Sequence, residues 1–347
     1  MKRVVIVGGG IAGSFLANEL GSSNYHVIVF DHSLPREKPC GGAVNPLILG
    51  AFPWVGEIMP SKQETYNLHY ISVDGRQRVI PFRTPVPVVS RREFDSALLE
   101  RALRYDNVQL IGEKVTDVED RQGHWQVHTR NRQVAADILV GADGSNSLIR
   151  KKVIKNRRER FAFALGCFLE DNKLDSIIAK IYADFGGYAW YVPRSDHASV
   201  GIVRGYGRAS LNEMEDRLAE FIYEYAPNSR VRERWTALIP SAGSPSYFDI
   251  PCCGRNWVLI GDAAGHVDPV TGEGILYAFY SAHAAATAIL QGDTLMYDRL
   301  WHTWYGNTLR NGSKVMEMVL DMGGNAGLAV YQVMVKRFLG LRYEQTS

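Results

Sequence analysis

The sequence predicts a mixed α/β and β fold: a Rossmann-type domain with a parallel sheet, a second domain with an antiparallel sheet, and a helical C-terminal region. Three observations predict it. A strand, a glycine-rich turn, a helix and a second strand follow one another at the N-terminus. Two later segments each run from an apolar strand through a glycine turn into a helix. Alternating apolar and polar residues, typical of strands with one buried face, occupy much of the sequence between these segments.

The first glycine-rich turn has the pattern of a dinucleotide-binding motif. Val4-Val-Ile-Val7 is a continuous apolar run, as in strands that are buried on both faces, and Gly8-Gly-Gly-Ile-Ala-Gly13 follows it directly. Gly8 permits a tight turn, Gly10 permits close approach of a pyrophosphate, and Gly13 permits close packing of helix on strand.

The residues after this turn support the same interpretation. We predict a helix over 14–20, whose first N–H groups would face the phosphates. The second strand is 27–30, and Asp31 ends it at about the place where ribose hydroxyls need an acceptor. The alternative is a purely structural glycine turn. This motif by itself does not separate NAD from FAD.

The two later segments narrow the choice of cofactor. The strand at 138–142 runs into Asp143-Gly144 and a helix start. A strand ending at Gly261-Asp262 is followed by a turn at Pro269 and by Gly272-Glu-Gly274, which opens a helix. The N-terminal dipole of that helix would stabilise an electron-rich group held in the loop.

With these three motifs in order, the chain resembles the FAD-dependent hydroxylase superfamily. The resemblance implies FAD as the cofactor, with NAD(P)H or another reductant as a transient electron donor. The residues that it assigns to FAD binding are Gly8, Gly10, Ile11, Ala12, Gly13, Asp31, Cys40, Gly41, Arg91, Val115, Asp143, Gly144, Gly261, Asp262, Pro269, Gly272, Gly274 and Ile275.

Three of these residues receive specific roles from the resemblance. Asp262 would accept a hydrogen bond from a ribityl hydroxyl, and the alternative is a helix N-cap. Asp143 would lie near the pyrophosphate and the path of the pyridine nucleotide. Arg91 would reach the cofactor, and the alternative is a surface salt bridge.

A cysteine between a proline and two glycines marks a second feature. Lys38-Pro-Cys40-Gly-Gly42 and Tyr188-Ala-Trp190 are similar to the Pro-x-Cys-Gly-Gly and Tyr-x-Trp elements of the geranylgeranyl reductase family. The chain departs from that family in having Val192 where phenylalanine is usual and Asp31 where glutamate is commoner. Flavin halogenases carry a related Trp-x-Trp element.

The resemblance to geranylgeranyl reductases implies reduction of C=C bonds in an apolar, isoprenoid or lipid-like substrate. Cys40, Gly41 and Gly42 are the predicted catalytic residues: the glycines let backbone lie against the flavin, and Cys40 or a water that it orders supplies a proton. A buried inert cysteine and a redox partner of another cysteine are the alternatives. Tyr188 and Trp190 are the predicted substrate wall, with an aromatic core strand as the alternative.

Other functions remain open at this point. The second hypothesis is an NAD(P)H- and O2-dependent monooxygenase, a hydroxylase with the same fold and cofactor. A flavin halogenase would need an active-site lysine that no motif places. A non-catalytic flavin-binding protein is a further alternative.

The order of the motifs predicts discontinuous domains. Asp74-Gly75 between two alternating runs predicts a hairpin, and apolar residues at helical spacing predict a helix over 211–225. The predicted boundaries are 1–65, 91–155 and 250–292 for the FAD-binding domain, 66–90 and 156–249 for the substrate domain, and 293–347 for the helical C-terminal region.

Composition excludes several classes. A net charge of +2 over 347 residues gives no nucleic-acid signature, and four cysteines without a CxxC pair give neither a disulfide framework nor a metal site. The sequence has no signal-peptide pattern and no transmembrane run, so we expect a cytoplasmic protein. The basic stretch 151–160 and the apolar C-terminal helices leave an anionic partner and peripheral membrane contact open; the oligomeric state is also open.

Overall fold

The computed structural model describes residues 1–60, 62–72, 74–155, 160–170, 174–182, 187–204 and 210–322. Its strands, in chain order, are β1 Lys2–Val7, β2 Tyr25–Phe30, β3 Gln63–Ile71, β4 Gln77–Val88, β5 Val108–Ile111, β6 Asp117–Asp120, β7 Trp125–His128, β8 Gln133–Ala136, β9 Ile138–Gly141, β10 Phe161–Glu170, β11 Ile177–Tyr182, β12 Gly187–Pro193, β13 His197–Arg204, β14 Val231–Pro240, β15 Cys253–Gly254 and β16 Trp257–Leu259. Its α-helices are α1 Ile11–Glu19, α2 Pro46–Ala51, α3 Pro53–Glu57, α4 Arg91–Ala102, α5 Leu148–Val153, α6 Leu211–Tyr225, α7 Ile275–Leu290, α8 Met296–Trp301 and α9 Asn307–Met322.

A six-stranded sheet in the order β15-β16-β9-β1-β2-β5 forms the Rossmann-type part. All its pairs are parallel except β15 with β16 at one edge. The apolar run of β1 lies at its centre with every residue from Val4 to Val7 buried, because helices cover both faces of a parallel sheet. The first helix begins at Ile11, three residues before the predicted start, so the turn glycines lead directly into it.

A seven-stranded sheet in the order β14-β10-β13-β12-β11-β3-β4 forms the second part. Its pairs are antiparallel except β11 with β3. The predicted hairpin around Asp74-Gly75 joins β3 to β4, and α6 spans the predicted 211–225. A parallel sheet with helices, a largely antiparallel sheet and C-terminal helices confirm the predicted fold class.

The antiparallel sheet has two different faces because side chains alternate along each strand. Ala189 and Tyr191 of β12 lie in a buried cluster with Met214, Leu218 and Phe221 of α6. The neighbouring side chains of β12 point to the opposite face, where the cofactor-side loops lie. The face of the sheet opposite α6 is therefore the one beside the candidate site.

Smaller elements complete the described chain. A three-stranded sheet in the order β6-β7-β8 lies within the residues predicted for the FAD-binding domain, and β3 begins three residues before the predicted start of the substrate domain. A π-helical turn over His302–Gly306 joins α8 to α9. Within the described residues, no helix combines the length and hydropathy that a membrane span requires. The sequence also predicts a second apolar C-terminal helix over 328–341, which lies outside the described residues.

Candidate functional site

Three separate parts of the chain meet at the Asp262 carboxylate. Lys38 Nζ, from the loop after β2, lies 3.1 Å from Oδ2, and the Ser145 hydroxyl, from the loop after β9, donates to the same oxygen at 3.4 Å. A Cβ placed on Gly274 would lie 3.1 Å from Oδ1. Burial opposes ionisation of Asp262, but Lys38, Arg91 and Ser145 together outweigh it and lower the pKa of the carboxyl. The carboxylate is engaged by an ammonium, and neither the turn 261–263 nor α7 has a side-chain cap, so within the described residues the N-cap alternative is wrong.

The glycine turn after β1 is shaped by two close approaches. Gly8 has φ +106°, and a Cβ there would lie 2.3 Å from the Ala142 carbonyl oxygen. A Cβ on Gly13 would collide with the Gly8 carbonyl. Gly10, by contrast, has room for a Cβ: the nearest atoms, from the side chains of Asp95 and Arg36, would lie about 4 Å away. The turn is therefore closed on the sheet side and open where a pyrophosphate would approach.

Asp31 is held beside this turn by hydrogen bonds. Its Oδ2 accepts from the Gly9 N–H at 2.8 Å, and its Oδ1 accepts from the N–H and hydroxyl of Ser33 at 2.7 Å. Burial opposes ionisation, but these bonds outweigh it and lower the pKa of Asp31. A fixed, ionised acceptor at this place suits the ribose role that the sequence predicts.

Helices α1 and α7 lack the side-chain caps that several other helices have. The N-caps of α4, α5 and α6 are Ser90, Ser147 and Ser210, each of which accepts an N–H of its helix. The N-caps of α1 and α7 are Gly10 and Gly274, and neither helix has a side-chain cap; the short helices α3 and α8 also lack one. The N-termini of α1 and α7 thus keep donors and a partial positive charge for another group. This arrangement fits a dinucleotide, with its pyrophosphate at α1 and its flavin at α7.

Arg91 is buried in the floor of the site. Its guanidinium makes two hydrogen bonds to the Asp95 carboxylate, at 2.7 and 2.8 Å, and both side chains are less than 5% exposed. The Cys40 thiol lies close enough to the same guanidinium to interact with its charge. The surface-salt-bridge alternative is therefore wrong, and contact with the cofactor stays a prediction.

Asp143 has a local structural role. Its carboxylate accepts from the Ser147 hydroxyl at 2.5 Å and from the N–H groups of Leu148 and Ile149 at 2.7 and 3.2 Å, so it helps to cap α5. Burial raises the pKa of this carboxyl. Its predicted place near the pyrophosphate stays a prediction, and so does the role of Val115, which is buried in the core of the Rossmann-type part.

The segment 37–45, here called the Cys40 loop, contains a fixed turn. Gly42 has φ +85°, its N–H donates to the Cys40 sulfur at 3.4 Å, and its carbonyl accepts from Val89 N–H at 3.0 Å. Gly41 packs against Val192 of β12. The thiol is partly buried and forms no disulfide. This loop therefore lies between the end of β2 and the antiparallel sheet.

Arg194, which the sequence analysis did not select, fixes this loop from the other sheet. It is fully buried, and its guanidinium donates to the carbonyls of Cys40 at 2.6 Å and Gly41 at 3.2 Å and pairs with the Glu37 carboxylate. The Ser199 hydroxyl also donates to the Cys40 carbonyl, at 2.8 Å. Burial opposes ionisation of Glu37, but Arg194 and Ser90 outweigh it and lower the pKa of its carboxyl.

Tyr188 and Trp190 lie on the face of the antiparallel sheet that does not contact α6. The Tyr188 hydroxyl donates to the Thr271 carbonyl at 2.7 Å, in the loop before α7. The Trp190 ring stacks on Trp235 of β14 with centroids 5.9 Å apart. Among the described residues, no partner accepts either indole N–H. Both predicted substrate residues thus line an aromatic face beside the cofactor loops, although their contact with a substrate stays a prediction.

The remaining predicted residues divide between the site and its support. Gly272 approaches the Tyr188 hydroxyl, and Gly144 has φ +78° with open space beside it. Pro269 packs against Gly312 of α9. The residues that support the two helix starts from the core, or complete the turn beside Asp262, are Ile11, Ala12, Gly261 and Ile275.

Comparison with known proteins identifies the family. Residues 88–294 match the family model described as tryptophan halogenase. An uncharacterised protein of Methanosarcina barkeri is 27% identical over 100% of this chain and 91% of its own length. A geranylgeranyl diphosphate reductase of Rhodobacter capsulatus is 29% identical over 82% of this chain and 74% of its own. A menaquinone reductase of Mycolicibacterium smegmatis is 27% identical over 86% and 79%.

Solved structures share the fold. A geranylgeranyl bacteriochlorophyll reductase-like protein from Thermoplasma acidophilum is 19% identical with a TM-score of 0.74, covering 99% of this chain and 100% of its own. A halogenase in complex with FAD is 16% identical with a TM-score of 0.68, covering 91% and 73%. The chain thus belongs to the tryptophan halogenase family as its model defines it, within the FAD-dependent oxidoreductase superfamily, and is a distant homologue of geranylgeranyl and menaquinone reductases.

Proposed function

We propose that the protein binds FAD and reduces a C=C bond of an apolar, isoprenoid or lipid-like substrate. The observation that carries the proposal is the position of Cys40. Its loop is tied to the antiparallel sheet through Arg194 and Ser199, and its thiol lies beside Arg91 in the cofactor part. A proton-bearing group is thereby fixed between a cofactor region and an aromatic wall.

The cofactor would be held mainly by backbone. The open turn at Gly10 and the uncapped start of α1 suit the pyrophosphate, and Asp31 suits the ribose. The loop ending at Gly274 and the uncapped start of α7 suit the pyrimidine side of the flavin, with Asp262 at the ribityl chain. When bound and reduced by NAD(P)H or another transient donor, FAD supplies a hydride equivalent.

The chain's own residues would supply the proton and the surroundings. Cys40, or a water that it orders, would donate a proton to the second carbon of the alkene. Tyr188 and Trp190, the latter stacked on the buried Trp235, offer flat apolar surface to a hydrocarbon chain and would exclude water from it. The reductase names of the distant homologues support this class of reaction.

The Cys40→Ala variant tests the proposal. Geranylgeranyl diphosphate and menaquinone would be offered anaerobically with dithionite-reduced enzyme, and saturated product would be measured by mass spectrometry. We expect FAD binding and flavin reduction to persist while product formation falls at least about 100-fold, as for loss of a general acid. Cys167→Ala, in the core under α6, is the control that should keep turnover. Undiminished turnover in Cys40→Ala would remove the role of this thiol.

The family match also supports a second candidate, an O2-dependent flavin monooxygenase or halogenase. Lys38 brings an ammonium into the site, although it pairs with Asp262. Oxygen consumption stoichiometric with NAD(P)H and substrate would favour the monooxygenase, and halogenated product from added bromide would favour the halogenase. Failure of all donors to reduce the flavin would favour a non-catalytic flavin-binding protein.

A further inference from the structure

Two carboxyl groups lie in the loop that leads into α7. Asp268 and Glu273 are joined by a backbone hydrogen bond, from Asp268 N–H to Glu273 C=O at 2.9 Å. Among the described residues, neither carboxylate forms a salt bridge. Lys38, the cation of this region, is paired with Asp262 on the other side of Gly274. Two acids close together without a cation cannot both ionise easily.

The two carboxyls differ in how they are held. Asp268 is buried, and its Oδ1 accepts from the N–H groups of Val270 and Thr271 and from the Thr271 hydroxyl at 2.8–3.0 Å. Glu273 has one long contact, 3.4 Å from Asn45 Nδ2 to its Oε2. Burial raises the pKa of Asp268 as well, and its buried Oδ2 has no partner among the described residues. Asp268 holds the loop in shape through Oδ1, whereas Glu273 is the more exposed and less tightly bonded of the two carboxyls, so we assign the change of protonation state to Glu273.

The groups that face Glu273 come from three elements. Asp268 faces it from the same loop, Asn45 from the Cys40 loop, and Tyr277 and Tyr280 from α7. Burial and then the Asp268 charge raise the pKa of Glu273 to about 7, against the smaller effect of Asn45. A carboxyl in these surroundings changes charge at neutral pH, where most glutamates stay ionised.

Glu273 also lies where the two halves of the site meet. The next residue, Gly274, is the N-cap of α7, and a Cβ there would lie 3.1 Å from the Asp262 carboxylate. Two residues earlier, the Thr271 carbonyl accepts from Tyr188 of the aromatic face. The Cys40 loop contributes Asn45. A proton on Glu273 is therefore placed between the predicted flavin loop and the predicted substrate wall.

We propose that Glu273 takes up a proton when the bound FAD is reduced and so stores the proton that alkene reduction consumes, an inference that rests on the proposed function. Two electrons entering the cofactor from a chemical reductant would then bring one proton to the isoalloxazine and a second to the Glu273 carboxylate. Alkene reduction returns both electrons and one proton as hydride, and the stored proton leaves through the Cys40 side to the other carbon. The added electrons favour protonation of a nearby carboxylate by electrostatics.

The midpoint potential of bound FAD, measured against pH from 5.5 to 9, tests this directly. In the wild type, the slope of midpoint potential against pH should steepen as the pH rises through neutrality. At lower pH Glu273 is already protonated, so reduction brings it no proton there. Each extra proton per two electrons steepens the slope by about 30 mV per pH unit. Glu273→Gln should lack the steepening. Asp268→Asn, which keeps an acceptor but removes the neighbouring charge, should move it to lower pH.

Every result of this titration decides the assignment. A wild-type curve without steepening overturns the proposal, and so does a steepening that survives in Glu273→Gln. Loss of the steepening in Asp268→Asn with retention in Glu273→Gln would assign the proton to Asp268. If Glu273→Gln holds no FAD, the wild-type curve and a shifted break in Glu273→Asp decide instead.

The titration needs no substrate, so it separates this inference from the proposed function. Proton uptake without reduction of any alkene would refute the reductase and leave Glu273 as the coupled group. Alkene reduction without the steepening would support the reductase and refute proton uptake by Glu273.

Discussion

At the scale of single residues, the site depends on one buried guanidinium. Arg194 follows the last proline of β12 and belongs to no motif, yet it reaches three groups of the Cys40 loop more than 150 positions away in sequence. Glu37 and the Phe168 ring, 5.1 Å from its carbon Cζ, compensate for the buried charge. Arginine suits this place because its planar fork can bind a carboxylate and two carbonyls at once.

Replacing Arg194 with methionine should be strongly destabilising. The substitution leaves the largely buried Glu37 carboxylate without its cation, the Gly41 carbonyl without the guanidinium donor, and the Cys40 carbonyl with Ser199 alone. We expect the free energy of unfolding to fall by about 3–5 kcal/mol, as for other buried pairs that lose one partner. Urea denaturation followed by tryptophan fluorescence measures it.

Two further variants show whether the loss comes from this geometry. Arg194→Lys keeps the positive charge but not the planar fork, so its stability should lie between that of the wild type and that of Arg194→Met. Arg76→Met removes an exposed pair with Asp74 and should change stability by less than about 1 kcal/mol. Equal stability losses in Arg194→Met and Arg76→Met would contradict the role of Arg194.

At the scale of elements, the helices divide by how their first turns are satisfied. Serine caps give α4, α5 and α6 internal acceptors, so these helices are complete without a ligand. The two helices that start with glycine both begin at the candidate site. The short helices α3 and α8 also lack side-chain caps, so a missing cap by itself does not mark a ligand site. At α1 and α7 the missing cap, about 1 kcal/mol per helix, coincides with the place where a cofactor would supply the acceptor.

Substitution of Gly10 should separate cofactor binding from folding. Its φ of −70° and ψ of −170° suit alanine, and a Cβ there meets no atom closer than 3.9 Å. Gly10→Ala should therefore lower apo-protein stability by no more than about 1 kcal/mol. The methyl group should occupy the approach of the pyrophosphate and weaken FAD binding at least tenfold, measured by quenching of flavin fluorescence.

Gly8→Ala is the matched control in the same turn. Its positive φ and the 2.3 Å approach of the Ala142 carbonyl make a Cβ incompatible with the apo fold, so thermal stability should fall before any FAD is added. If Gly10→Ala bound FAD as tightly as the wild type, the pyrophosphate would not lie at this turn.

At the scale of the whole molecule, local patterns predicted elements better than they predicted contacts between them. The apolar run of β1, the Asp-Gly turn after β3 and the periodicity of α6 each report on their own neighbourhood, and the structure contains all three elements. The seating of the Cys40 loop against β12 and β13 depends on tertiary packing. A single sequence carries no signal for the pairing of Arg194 with Glu37, because neither residue lies in a periodic pattern or a motif.

The acidic groups of the site give the whole molecule two separate pH windows. The pKa values of Glu37 and Asp262 are lowered, so their contribution to stability is present above the unfolded values of 4.5 and 3.8 and is lost as the pH falls further. The pKa of Glu273 is raised to about 7. The folded state therefore binds more protons at Glu273 than the unfolded chain does between pH 4.5 and 7, and stability falls as the pH rises through this range.

The difference between the wild type and Glu273→Gln isolates the second window. With FAD removed, we expect the wild type to lose about 1–2 kcal/mol of unfolding free energy relative to the variant as the pH rises from about 4.5 to about 7.5. Without solvent screening, each pH unit between the unfolded and folded pKa values would contribute ~1.4 kcal/mol to this loss. Glu273 is partly exposed, so screening keeps the total loss below the sum of those contributions. Urea denaturation at closely spaced pH values measures the difference. At more acid pH the two proteins should run parallel, because the carboxylates that titrate there are common to both. A difference that grows in the opposite direction, or is confined to acid pH, would place the unfavourable charge elsewhere than on Glu273.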